Sequence, residues 1–158
     1  MRTAQESHFV GLLRAGALAG IAGGVAEIAW IALYSASTGV PAEPVVRGIV
    51  VTLVPALAAS SWSIALGVLI HLGLAFALGL GLAVVVRLFS RPGRAPYSAF
   101  GLVMGVLAAV WAVNFLVALP YLNPDFVRLL PYEVTLLSKL LFGLSAAIVL
   151  RAKAIGLR

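Results

Sequence analysis

Four long apolar runs leave this chain little choice of environment. They are Ala15 to Ala36, Trp62 to Val86, Tyr97 to Leu119 and Pro131 to Leu150. Each is about twenty residues or longer, which at a rise of about 1.5 Å per residue makes a helix long enough to cross a hydrocarbon core of about 30 Å. With 63% hydrophobic and 10% charged residues, the chain lies far from the soluble average of roughly half apolar and a quarter charged. A soluble fold has no means of hiding so much apolar surface, whereas a bilayer does. The expectation is an all-α integral membrane protein: one membrane domain over residues 1–158, with four transmembrane helices in a bundle.

The first run also invites comparison with a signal peptide, since Arg2 and Arg14 precede it and Ser35-Ala36-Ser37 offers small residues for cleavage. Signal cores are usually about 7–15 residues long. This run is longer and carries Glu27, so it reads as a retained span. The stretch from Pro44 to Leu57 is apolar around Arg47, but Pro44 and Pro55 stand too close together for a crossing. It is expected to be re-entrant or interfacial. A fifth span there would also place the two ends of the chain on opposite sides.

Between the second and third runs, Pro92, Gly93 and Pro96 among Arg87, Arg91 and Arg94 indicate a tight basic turn. Between the third and fourth, Asn123-Pro124-Asp125 reads as an N-cap, a first-turn proline and an acidic first turn, predicting a short surface helix up to Leu130. No internal repeat is visible.

The net charge of +6 and pI near 10.6 bring nucleic acid to mind, but the basic residues do not gather on one soluble face. Eight of the eleven, Arg2, Arg14, Arg87, Arg91, Arg94, Arg151, Lys153 and Arg158, stand beside expected helix ends on one side, against Arg47 and Arg128 on the other. Cytoplasmic loops carry such an excess. The expectation is therefore a multi-pass protein of the cytoplasmic membrane with both termini inside, partnered by the lipid bilayer and by another membrane protein or itself, and not by nucleic acid. Tyr34, Trp62, Tyr121 and Tyr132 then gather at the outer interface, where amphipathic rings are favoured.

Each expected span carries one polar group of interest: Glu27, His71, Asn114 and Lys139. Counted from the outer helix ends, all four lie about 9–14 Å deep at 1.5 Å per residue. Ionisable groups at such depth cost about 2.5–3.5 kcal/mol on insertion scales and call for a partner or a purpose. Gly16, Gly20, Gly23 and Gly24 share the face of Glu27, Gly67 and Ala75 that of His71, and Thr135, Gly143 and Ala146 that of Lys139, so these faces are expected to pack closely. In the third span the small face of Gly101, Gly105, Ala108 and Ala112 lies opposite Asn114. One of the two points to the bundle centre, and the other is free to meet a second chain.

Several chemistries are disfavoured. The chain has no cysteine, which removes disulfides, thiolate zinc sites, iron–sulfur clusters and a cysteine nucleophile. His71 alone does not supply both axial ligands of a haem, Lys139 beside Glu27 and His71 would repel a metal cation, and His8 sits in a polar N-terminal tail. Ser138 and Thr135 beside Lys139 lack any oxyanion-hole motif, and no phosphate-binding glycine fingerprint is present. No cofactor and no catalysis are expected. Two functional readings remain: a non-enzymatic accessory or scaffolding subunit of a larger membrane assembly, in which a Glu27–Lys139 ion pair holds the helices in register, and a small transporter or proton-conducting protein that uses Glu27, His71 and Lys139.

Overall fold

The computed structural model describes residues 4–89 and 97–156, with side chains described for 9–89 and 99–151. The turn expected over 91–96, with Arg91 and Arg94, lies outside the described residues, as do Arg2 and Arg158 and the side chains of His8 and Lys153. Among the described residues all regular structure is helical. In chain order it comprises α1 (Ala4–Thr38), α2 (Glu43–Leu53), a 3₁₀ turn (Pro55–Leu57), α3 (Ser63–Phe89), α4 (Tyr97–Val113), a π-helical segment (Asn114–Ala118), α5 (Leu119–Leu122), α6 (Pro124–Val127) and α7 (Tyr132–Gly156). Four stretches are long and apolar enough to cross a membrane: Phe9–Thr38, Ser63–Phe89, Ala99–Leu122 and Tyr132–Arg151.

Several boundaries differ from the sequence expectation: α3 runs on to Phe89 and α7 to Gly156, and two others have a clear local cause. α1 begins well before Ala15, because nothing between Ala4 and Arg14 breaks a helix. The third apolar helix does not stop at Pro120. A proline inside a helix lacks a donor, and its ring crowds the carbonyl four residues back. Here the backbone widens just before it: over Asn114–Ala118 the turns are π-helical, and the Leu119 N–H donates to the Asn114 carbonyl five residues back. That loosening accommodates the ring. The helix then continues to Leu122, where the Asn123 N–H bonds to Leu119 O at 2.8 Å.

α1 lies between α3 and α7, and α4 packs on the other side of α7 and scarcely meets α3. Lipid tails are as apolar as leucine, so such helices associate through close van der Waals contact rather than hydrophobic expulsion. The glycines of α1 make that contact. A Cβ at Gly16 would lie 2.9 Å from Leu80 Cα, one at Gly24 would lie 2.7 Å from Ala75 Cβ, and one at Gly79 of α3 would collide with the backbone of Gly16 and Gly20. Toward α7, Gly23 makes room for the Phe142 ring, 2.6 Å from where its Cβ would be.

The four long helices close around Ala19, Leu82, Val103, Leu107, Phe142 and Ala146, all buried. This core fills the half of the molecule toward the end of α3 and the start of α4. The opposite half is capped instead of filled. There α2 lies against α3, and Arg47 ties the two by donating from Nη1 to Ala58 O (3.0 Å) and Ser63 Oγ (2.9 Å), while its Nη2 pairs with Glu43 at 2.7 Å. α6 closes on α2 from the other side: the Phe126 ring sits on Gly48, and Asn123 Nδ2 donates to Thr52 Oγ1 at 3.0 Å. Asn123 is also the cap of α6, its Oδ1 accepting from the Phe126 N–H at 3.2 Å. That helix is a single turn, shorter than the stretch up to Leu130 that its cap signalled.

Candidate functional site

Glu27 follows Gly20, Gly23 and Gly24 down the face of α1 that packs against α3 and α7. The glycines bring these helices so close that side chains from all three meet at the next turn. Glu27 Oε1 lies 2.7 Å from Lys139 Nζ of α7, and Oε2 lies 3.7 Å from His71 Nε2 of α3. The imidazole nitrogen also approaches the Gly24 carbonyl, at 3.3 Å. The Lys139 ammonium stands 5.4 Å from the centroid of Phe142, one turn further along α7, within reach of a cation–π contact.

The three side chains are not equally enclosed. Glu27 retains 6% of its side-chain exposure, Lys139 16% and His71 23%. The carboxylate is thus the innermost member, and the two nitrogen groups present the accessible face. That face borders a half-open cavity of about 570 Å³ lying between α3 and α4 under the α2–α6 cap. Its polar end carries Glu27, His71, Lys139, Asn114, Thr135 and Ser138. Its walls are aliphatic, with Ile28 and Ile31 from α1, Val45 and Ile49 from α2, and Val68 and Leu78 from α3. Leu53, Leu74 and Leu122 line it while remaining exposed, so they form its rim. The packed core of Leu82, Leu107 and Phe142 closes it from below.

Asn114 lines this cavity from the third long apolar helix. It continues the stripe of Val103, Leu107 and Val110 on α4. The first two are buried in the core, but at Asn114 the bundle has opened and the side chain is exposed to the cavity. Of the two faces of α4, the Asn114 face therefore turns inward. Gly101 and Gly105 lie on the outside of the molecule, where an added Cβ would meet nothing within 4 Å.

Two tryptophans that the hydropathy pattern did not single out brace the polar end. Trp30 Nε1 donates to Val134 O, and Trp111 Nε1 donates to Thr135 Oγ1, both at 3.0 Å. Thr135 Oγ1 in turn donates to Tyr132 O at 2.9 Å. The signal available in the sequence was an aromatic ring with one polar handle placed inside an apolar run, where its N–H must find an acceptor. Among the described residues no three of His, Cys, Asp and Glu come together as a metal-binding group. Comparison with family models, with curated proteins and with solved structures gives no match.

Proposed function

We propose that this chain is a non-enzymatic, multi-pass protein of the cytoplasmic membrane that binds a small molecule in the cavity above Glu27, Lys139 and His71, in the manner of a carrier. The observation that supports this reading is the cavity itself. The polar residues of all four long helices line one half-open space, and a sealed apolar core lies beneath it. A cluster serving only to hold helices in register has no need of such a space, and pockets of roughly 300–1,000 Å³ with few convergent polar groups are the usual form of small-molecule sites. The bias of basic residues toward Arg14, Arg87 and Arg151 supports an orientation with the sealed half toward the cytoplasm.

The test is the double variant Glu27→Gln/Lys139→Gln, which keeps hydrogen-bonding capacity and removes both charges. The expected outcome is a protein that folds and inserts but does not complement a strain lacking the wild-type chain. A double variant that complements fully would return the pair to a structural role.

The scaffolding role keeps one observation in its favour, the open small-residue face of Gly101 and Gly105 on α4, which suits close approach by a helix of a second chain. Co-purification of a stoichiometric partner that is lost in Gly105→Leu would favour it. The two roles are compatible, since they use opposite faces of α4.

A further inference from the structure

We infer that the occupant of the cavity is a single-chain amphiphile with a carboxylate head, its head against Lys139 and His71 and its chain along the aliphatic walls. The inference rests on the cavity being a binding site, as proposed above, and adds the chemistry of what binds.

The walls and rim specify the chain. Val45, Ile49, Ile31 and Leu78 line the cavity, and Leu53, Leu74 and Leu122 at the rim are apolar and exposed. A strongly hydrated solute would have to shed its water to pass such a rim, whereas an acyl chain already dissolved in lipid gives up nothing. At roughly 30 Å³ per water-sized unit, a space of about 570 Å³ accommodates on the order of twenty non-hydrogen atoms. That is room for one acyl chain with its head, a twelve-carbon chain fitting with space to spare.

The polar end specifies the head. Among the described residues Glu27 is the one acidic residue lining the cavity; its Oε1 is held by Lys139 at 2.7 Å, and it is the most enclosed of the three. What faces the space is the Lys139 ammonium, a donor alone, together with the His71 ring, the Asn114 amide and the Ser138 hydroxyl, each able to donate. A cationic head would meet the charge of Lys139 and would have to compete with it for Glu27. The lining rings, Phe115 and Phe126, do not form the multi-sided cage that quaternary ammonium groups require. A carboxylate would share the Lys139 ammonium with Glu27, but it meets the more exposed member of that pair, and hydrogen bonds between ionised groups are the stronger kind.

The experiment uses the full-length chain with Val68→Cys, a partly exposed wall position one turn before His71, as its single thiol, in nanodiscs of zwitterionic phosphatidylcholine, with the rate of alkylation by N-ethylmaleimide as readout. Dodecanoate, dodecanol and dodecyltrimethylammonium are compared at equal mole fraction in the lipid. Dodecanoate is expected to slow alkylation at least about tenfold relative to the other two, the factor that one net hydrogen bond to a charged group supplies. In the Glu27→Gln/Lys139→Gln background that selectivity is expected to vanish; should this variant fail to fold, the head-group comparison in the wild-type background decides alone. Equal protection by dodecanol or by the ammonium compound overturns the assignment of the head. Rapid alkylation that no amphiphile slows overturns the inference while leaving an open cavity in place. An unreactive thiol at this position in the absence of any amphiphile overturns the binding site itself.

Discussion

At the scale of single residues, the energetics centre on Glu27. A carboxylate with 6% exposure among apolar helices is tolerable because Lys139 lies 2.7 Å away, and removing one partner of such a pair strands the other without its counter-ion. Glu27→Gln and Lys139→Met are each expected to cost about 3 kcal/mol of stability, the low end for a broken buried pair because Lys139 borders the cavity. The double replacement is expected to recover most of that loss. A double-mutant cycle read by thermal unfolding in a mild detergent checks this, and simple additivity would show that the two charges do not interact.

The element scale belongs to the glycines. They fall into two classes that composition alone does not separate: those cut to fit a neighbouring helix and those facing outward. Gly79→Ala places a methyl group against the Gly16 and Gly20 backbone of α1. It is expected to spread α1 from α3 and lower stability by about 1–3 kcal/mol, as overpacking does. Gly101→Ala meets nothing within 4 Å, so removing the conformational freedom of a helical glycine is expected to raise stability by up to about 1 kcal/mol. The comparison is one pair of melting curves, and a loss for Gly101→Ala would place a neighbour against that face. α4 illustrates a different control. Its π segment lets a proline-containing helix run on past Pro120 and carries Asn114 at its start, on the wall of the cavity.

At the scale of the molecule, the four long helices are closed at one end and capped at the other, and the proposed orientation turns the closed end toward the cytoplasm. The chain contains no cysteine, so topology is open to single-cysteine labelling without background. Ala59→Cys, in the exposed connection between α2 and α3, is expected to react with a membrane-impermeant thiol reagent in intact cells. Gly93→Cys is expected to react only after the cells are opened. The reverse pattern would invert the orientation and place the mouth of the cavity on the cytoplasmic side.

What the sequence determined by itself is the helical architecture. Apolar runs of about twenty residues are a one-dimensional signal, and lipid admits few backbone forms for them, so Ala15–Ala36, Trp62–Val86, Tyr97–Leu119 and Pro131–Leu150 already outline the four long apolar helices. That Glu27, His71 and Lys139 stand at one level of the bundle was legible for the same reason, since position along a helix is residue number multiplied by rise. Their contacts and surroundings were not. Whether Glu27 reaches Lys139 depends on how helices distant in sequence are rotated against each other, which the fit of Gly23 to Phe142 and of Gly20 to Gly79 decides. The two faces of α4 are equally plausible on a helical wheel, and packing of Val103 and Leu107 into the core turned the Asn114 side inward. The cavity is the clearest product of tertiary structure. It is lined by residues from every long helix and from α2 and α6, and empty space between distant segments leaves no pattern along a chain.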